Sequence, residues 1–310
     1  MNMLEDIDPD LEVSLNDLDI QQRTAVNHVA LMLDDTNSPN VTTATLLAEV
    51  LRTFLGTHTS IRLLLAERDK RPVVAADAVS LVREQIEKVF LVSLLLADWR
   101  KYVPIYFEED WCRRFRYFLV QKKDKEGLER FREFFSVFGP QKFEERRLDL
   151  KISEGIRDFI EFQVSHPGAQ KPERFKSVHL PKFPTPKNIL DQSPEAERPA
   201  LTRWYEEYRG VCGYTHIGAD KLQMTTMTGR KVNFSDEQIT AFFTKEHLEL
   251  AILSYIACAY TATELLSLIG GAVEPMAEVT KLWNTLLDTS LSAKIFWDAR
   301  SRSLLPLARL

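Results

Sequence analysis

Residues 250–263, LAILSYIACAYTAT, are the most apolar stretch of the chain, and they lie between Glu249 and Glu264. A helix of this length rises about 21 Å, which is less than the roughly 30 Å of hydrocarbon in a bilayer. The stretch therefore predicts a buried core helix rather than a membrane span. A helix that is apolar on all sides needs neighbours around it, so we expect it to be a central element of one globular unit.

The rest of the chain also carries helical periodicity, and its 11 glycines are few for a turn-rich β fold. A bend in the second helix is expected near Gly56. The N-terminal helices, within 15–164, are expected at 15–35, at 42–69, from about 77 to an end before Pro104, and at 108–120, 125–138 and 141–164.

Residues 165–199 hold seven of the 14 prolines. Proline removes a backbone donor and fixes φ, so this range is expected to be a long extended loop without an element of its own. A loop of this length is either functional or a linker.

Helix is expected again over 200–300. A Thr-Gly-Arg-Lys centre among β-branched residues predicts a small β-hairpin at 221–234. Ser235 and Gln238 form a capping box that begins a helix reaching about Ile269, and two more helices are expected at 274–287 and 290–300. The fold class is therefore an all-α multi-helix bundle, forming one domain over 1–310.

Composition and charge exclude several classes of protein. The net charge of −5 argues against a globally basic nucleic-acid binder. The acidic start has no secretory signal, and the three cysteines Cys112, Cys212 and Cys258 are too widely spaced for a disulfide framework or a zinc motif, which favours the cytoplasm. Histidine spacings typical of metal sites and glycine-rich phosphate loops are absent, so we expect no metal and no cofactor.

Arg83 and Glu87 lie four residues apart on the otherwise apolar arc of the third helix, so they can pair. Because an unpaired buried charge is very costly, three interpretations stay open. The residues form an internal ion pair that fixes helix packing, one half of a polar pocket, or part of a solvated face. The first two place them inside the assembly.

A second polar cluster lies in YEEYRGVCGYTHIGAD, residues 205–220. Histidine can transfer protons near neutral pH and arginine can hold an anion, so His216 and Arg209 are candidate catalytic residues; a buried histidine bonded to a neighbouring helix is the alternative. Gly210 and Gly213 occupy a neighbouring strip, where they could admit another backbone. On a helical wheel five side chains share an arc of about 100°: Tyr205, Tyr208, Arg209, Cys212 and His216.

Both clusters interrupt apolar arcs, and unpaired buried polar groups are rare. We therefore expect Arg83 and Glu87 to meet the segment from Tyr208 to His216, with Glu87 accepting a hydrogen bond from His216. The resulting polar core, or ligand site, would consist of Arg83, Glu87, Tyr208, Cys212 and His216.

The motifs R-x-x-x-E, from Arg83 to Glu87, and Y-x-x-[LV]-[SC]-x-x-x-H, from Tyr208 to His216, resemble those of uncharacterised bacterial all-helical families. The resemblance covers roughly residues 45–270, and Cys212 stands where serine is expected. It implies a helical fold without an agreed activity. Apart from the resemblance, the first function that we expect is that of a binding or interaction protein whose polar cluster is structural or holds a small ligand.

Arg209 and His216 also fit the R-x(4–6)-H motif of the HEPN superfamily of helical ribonucleases and nucleotide-binding proteins. This resemblance implies metal-independent RNA cleavage by the two residues across a homodimer interface, in a defence or toxin system. Gly210 departs from the pattern, because a polar residue usually follows the arginine.

The segment 166–187 has five Lys or Arg residues and one Glu, interleaved with Phe175, His179 and Phe183. Basic and aromatic residues together can hold single-stranded nucleic acid, so RNA is a candidate partner of this loop. The alternative is a solvated loop that tucks its two phenylalanines onto the core. The run Arg113, Arg114 and Arg116 is expected to be a charged helix face.

Overall fold

The protein is described by a computed structural model, which covers residues 10–35, 41–67, 77–122, 140–215, 236–269 and 273–303. Every regular element in these ranges is a helix, so the all-α prediction is confirmed. The hairpin predicted at 221–234 and the helix predicted at 125–138 lie outside the described residues. The described ranges contain ten α-helices: α1 (Asp10–Asp35), α2 (Val41–Ala66), α3 (Ala78–Lys122), α4 (Pro140–Asp149), α5 (Glu154–Ser165), α6 (Pro186–Gln192), α7 (Arg198–Thr215), α8 (Asp236–Leu266), α9 (Val273–Thr289) and α10 (Leu291–Ser303).

Contacts within the chain define two compact units. The first, called the acidic unit below for its sequence charge, combines Met1–Leu94 with Pro186–Leu310. The second, called the basic unit, is Leu95–Thr185. That the whole chain, 1–310, forms one domain stays a prediction.

Helix α8 lies at the centre of the acidic unit, where it contacts α1, α2, α9 and α10. All residues from 251 to 263 are buried, as their apolar character predicts. By length and composition, one helix in the described part of the chain could cross a membrane, over Leu248–Leu266, and 78% of that window is buried within the protein. The helix α8 is thus the core element around which the others pack.

Helix α3 is bent at Asp98, whose φ of −156° and ψ of 78° are not helical. The Asp98 carboxylate accepts a hydrogen bond from the backbone N–H of Lys101 at 3.2 Å, which is the geometry of an N-cap. A new helical segment therefore begins at Asp98 and contains Pro104. The third helix was expected to end before Pro104. The interruption lies six residues earlier, because the Asp98 side chain caps a new segment there, and Pro104 does not itself end a helix.

The single helix expected at 141–164 is two helices, α4 and α5. Lys151 has a φ of 56°, which a right-handed helix does not tolerate, and Ser153 caps α5 by accepting from the Ile156 N–H. The two helices cover an aromatic core of the basic unit, made of Trp111, Cys112, Phe115, Phe118, Ile152 and Ile160.

The prediction that the proline-rich range 165–199 has no element of its own was wrong. The range contains the short 3₁₀ helix Glu173–Phe175 and the helix α6, which starts at Pro186. Proline suits the first helical position, because the N–H that it lacks has no partner there. Helix α7 then begins at Arg198, close to its predicted start, and the two helices expected after α8 are confirmed.

Candidate functional site

Arg83 and Glu87 form the ion pair that their spacing predicts, with 3.0 Å between Arg83 Nε and Glu87 Oε1. The Arg83 side chain is 28% exposed and the Glu87 side chain 42% exposed. The pair is therefore half-buried at the surface of the acidic unit, not deep inside it. Long side chains can cover an apolar helix face with their stems and keep their charged ends in water, which accounts for the difference.

The pair on α3 meets α7 at Tyr208. The Arg83 Cζ atom lies 5.6 Å from the centroid of the Tyr208 ring, in a cation–π contact. Burial, followed by a hydrogen bond between its hydroxyl and Cys212, raises the pKa of Tyr208 to about 12. The structure thus brings together four of the five residues expected in the polar core, and it keeps the phenol neutral at neutral pH.

The contacts continue along α7 to a second ring and a second cation. Tyr205 and Tyr208 stack with centroids 6.1 Å apart and planes 27° apart, and Lys187 Nζ lies 5.7 Å from the Tyr205 centroid. Lys187 also pairs with Asp191 at 2.6 Å. We call the series Lys187, Tyr205, Tyr208 and Arg83 the tyrosine ladder: two stacked rings with a cation at each end.

Sequence reasoning found three of the four ladder residues and missed Lys187. Tyr205 and Tyr208 are three apart on one arc, which is the spacing of neighbours on a helix. Lys187 lies on α6, within the range interpreted as an extended loop. A signal was present, since Pro186 is suited to start a helix.

Arg209 follows Tyr208 on α7 and is exposed. In the described part of the chain, a Cβ on Gly210 would meet no atom within 4 Å, so the close approach of another backbone that this glycine could allow is not found there. His216 and the surroundings of Gly213 lie outside the described residues. The contact between His216 and Glu87 therefore stays a prediction.

Sequence reasoning missed a buried polar network where α1, α2 and α8 meet. His58 Nε2 lies 2.9 Å from Asp19 Oδ1, and His58 Nδ1 lies 2.7 Å from Ser254 Oγ. The Tyr255 hydroxyl donates to the same Asp19 carboxylate and to the Leu15 carbonyl oxygen. No local motif points to this network, because its members come from three helices far apart in sequence.

Burial lowers the pKa of His58, although the Asp19 carboxylate acts in the opposite direction. A neutral ring that donates from Nε2 to Asp19 must accept from the Ser254 hydroxyl at Nδ1. Burial alone would raise the pKa of Asp19, but hydrogen bonds from His58 and Tyr255 lower it. In this arrangement the His58 ring N–H and the hydroxyls of Ser254 and Tyr255 each donate to an acceptor.

The order Ser254, His58, Asp19 is that of a nucleophilic triad, but its surroundings do not suit catalysis. Ser254 is 0% exposed and His58 is 4% exposed, so a substrate cannot reach the hydroxyl in this structure. A serine nucleophile needs an accessible oxygen beside the reacting carbonyl. The network therefore joins three helices rather than performing chemistry.

A second buried ion pair joins α8 to α10. Arg300 Nε lies 2.9 Å from Glu264 Oε1, with the Arg300 side chain 3% exposed and that of Glu264 18% exposed. Burial raises the pKa of Glu264, against the lowering effect of Arg300. A buried charge is costly without a partner of opposite sign, and here each residue is the partner of the other. The pair therefore anchors α10 to the core.

The segment 166–187 places its two phenylalanines against the basic unit. Phe175 is buried on Phe159, with ring centroids 5.3 Å apart. Phe183 is half-buried, and its ring lies 5.7 Å from that of Tyr106. The loop thus packs its two phenylalanines onto the unit, as one of the two interpretations expected. Its basic residues are exposed, and RNA binding by them stays a proposal.

Comparison of the chain with protein-family models, with curated proteins and with solved structures gives no match. Within the described ranges, no group of three or more His, Cys, Asp or Glu residues could hold a metal ion. The resemblances to helical bacterial families and to the HEPN superfamily therefore stay proposals. The tyrosine ladder is the candidate site that we consider further, because its rings and cations are partly accessible to solvent.

Proposed function

We propose that the chain is a binding protein and that the tyrosine ladder holds a small anionic ligand with a planar ring, of which a mononucleotide is the simplest example. One observation carries the proposal. Two stacked tyrosines, neither of them fully buried, lie between the cations Lys187 and Arg83 on one surface of the acidic unit.

The two kinds of group would have separate tasks. The planar guanidinium of Arg83 can bind two oxygens of a phosphate or carboxylate. A heterocyclic ring would stack on a tyrosine face by displacing the cation that lies over it. Glu87 and Asp191 already pair with the two cations, so an anionic ligand must compete with these carboxylates. The competition predicts binding of moderate strength that weakens in high salt.

The protonation state of the site favours binding over proton transfer. A phenol with a pKa of about 12 is not a general base near neutral pH. Arginine keeps its proton at every ordinary pH. The ladder residues can thus bind the charge and the ring of a ligand, but they do not transfer protons near neutral pH.

Calorimetric titration with AMP tests the proposal. Wild type is expected to bind, and Arg83→Gln is expected to bind at least about tenfold more weakly, since a hydrogen bond to a charged group contributes about 1.5–3 kcal/mol. Lys281→Gln is the matched control, because Lys281 is exposed on α9 of the same unit. Absence of binding, or equal affinity of wild type and Arg83→Gln, would contradict the proposal.

A second candidate function is a metal-independent ribonuclease acting through Arg209 and His216, as the HEPN resemblance implies. The exposure of Arg209 on α7 favours it, because a catalytic arginine must be reachable by RNA. In this proposal the active form is a homodimer in the cytoplasm, in a defence or toxin system. RNA degradation in the presence of EDTA, measured for wild type, Arg209→Ala and His216→Ala, decides it; activity that survives both substitutions would exclude this role.

A further inference from the structure

The two units differ in the sign of their charge. Residues 95–185 contain 19 Lys and Arg against 15 Asp and Glu, a net charge of +4, whereas the chain as a whole has −5. The acidic unit must therefore carry −9. A basic unit in an acidic protein is typical of a surface that meets a polyanion.

Among the described residues, three exposed cations of the basic unit have neutral groups as their contacts. Arg116 Nη2 donates to Gln163 Oε1 at 2.8 Å, and Lys171 Nζ donates to the Val178 carbonyl at 2.8 Å. Arg174 lies with its Cζ atom 4.6 Å from the centroid of the Phe175 ring. Contacts with amides, carbonyls and rings orient a cation without cancelling its charge, so all three remain attractive to an anion.

Side-chain contacts connect these cations along the surface of the basic unit. Arg116 of α3 contacts Gln163 of α5, and His166 follows Gln163 by three residues, on the same side of the helix end. The exposed His166 ring stacks on Phe162 at 4.8 Å and 22°. Phe162 in turn lies 5.6 Å from Phe175, the ring beneath Arg174.

We propose that the basic unit binds single-stranded nucleic acid along this surface, from Arg116 over His166 to Arg174 and Lys171, with the cations on phosphates and the His166 ring stacked on a base. An exposed ring already held flat against another ring is a platform for a base. A membrane or an acidic protein would use the cations but would gain nothing from the stacked imidazole. The inference is independent of a ligand at the tyrosine ladder.

Fluorescence anisotropy with a labelled oligouridine tests the proposal on the full chain. Three phosphate contacts predict a slope of roughly −2 in the logarithm of affinity against that of salt, which is about 18-fold between 50 and 200 mM NaCl. In the double variant Arg116→Glu, Arg174→Glu, one contact remains and the loss falls to about threefold. Lys294→Glu in the acidic unit is the control. Lys294 is exposed, and the substitution reverses a positive charge as the two arginine substitutions do.

A second variant separates stacking from charge. His166→Ala is expected to weaken oligouridine binding at least about fivefold, the lower end of base–aromatic stacking, and to leave binding of inorganic polyphosphate unchanged. Equal binding of wild type and the double variant would overturn the proposal. So would a His166→Ala protein with unchanged oligouridine affinity, or binding of phosphatidylserine vesicles or polyphosphate as tight as that of oligouridine. If the double variant loses the wild-type melting transition, Arg116→Gln and Arg174→Gln replace it with the same expectations.

Discussion

His58 Nε2 lies 2.9 Å from Asp19 Oδ1, so a buried imidazole of α2 is held by a carboxylate of α1. The same ring contacts the Ser254 hydroxyl and lies 4.2 Å from the Tyr255 ring, both on α8. One side chain thus joins the three helices that form much of the core of the acidic unit. Its hydrogen bonds set the register of these helices more specifically than apolar packing alone.

Replacing His58 with alanine should lower the free energy of unfolding by about 3 kcal/mol. The change leaves the Ser254 hydroxyl without its partner and opens a cavity, and each effect costs on the order of 1–3 kcal/mol. His179→Ala, at an exposed histidine of the basic unit, should cost less than about 0.5 kcal/mol. Urea denaturation of both variants checks the difference, and equal midpoints would show that the network contributes nothing.

The lowered pKa of His58 makes stability depend on pH with a definite sign. The unfolded chain protonates this histidine near its ordinary value of 6.5, whereas the folded protein protonates it only at lower pH. The stabilisation is therefore complete above pH 6.5 and is lost as pH falls, by at most about 1.4 kcal/mol per pH unit.

This dependence can be isolated with His58→Gln. The difference in unfolding free energy between wild type and the variant, measured from about pH 7 to about pH 5, cancels the contribution of the other histidines. The difference should shrink as pH falls. A constant difference would show that folding leaves the pKa of His58 unchanged, and a growing difference would show that folding raises it; either result would contradict the lowered pKa. The lowered pKa of Asp19 acts in a separate window, below that residue's ordinary value of 3.8.

Glu87→Ala should destabilise the protein by less than about 1 kcal/mol. A fully buried pair would lose about 3–5 kcal/mol, but the Glu87 side chain is 42% exposed. Water can replace the carboxylate beside Arg83, and the Tyr208 ring remains in contact with the guanidinium. Thermal denaturation checks this value, and a loss above about 3 kcal/mol would mean that the pair is desolvated.

Arg300→Ala should be the more damaging change, with a loss of about 3–5 kcal/mol, because it leaves Glu264 charged in a buried place. Arg113→Ala is its matched control, since the Arg113 side chain is 78% exposed and pairs with Asp110 at the surface. The control should cost less than about 1 kcal/mol. Similar urea midpoints for the two variants would contradict the anchoring role of Arg300.

Helical periodicity predicted the helices well where one helix has one uninterrupted apolar face. The burial of 251–263 and the pair Arg83–Glu87 follow from spacing within a single helix. The break at Asp98 was harder to predict, because Pro104 is the stronger sequence signal and the capping contact depends on local geometry. The solvent exposure of the Arg83–Glu87 pair also could not be predicted from the sequence, since it depends on how closely other helices approach.

The His58 network and the full tyrosine ladder needed the structure for a different reason. Asp19 and Ser254 are 235 residues apart, and no spacing rule relates side chains on separate helices. Lys187 reaches Tyr205 because α6 lies beside α7. Sequence patterns predict what one helix presents, whereas a site made by several helices depends on their packing.

Cys212 supplies a direct test of the ladder as a ligand site. Its thiol is half-buried beside Tyr208, whereas Cys112 and Cys258 are 6% and 0% exposed. Iodoacetamide should therefore modify Cys212 first, and the rate can be followed by mass spectrometry with and without AMP. The account predicts that millimolar AMP slows alkylation of Cys212 several-fold in wild type and has little effect in Arg83→Gln. An alkylation rate that AMP leaves unchanged in wild type would contradict a nucleotide site at the ladder.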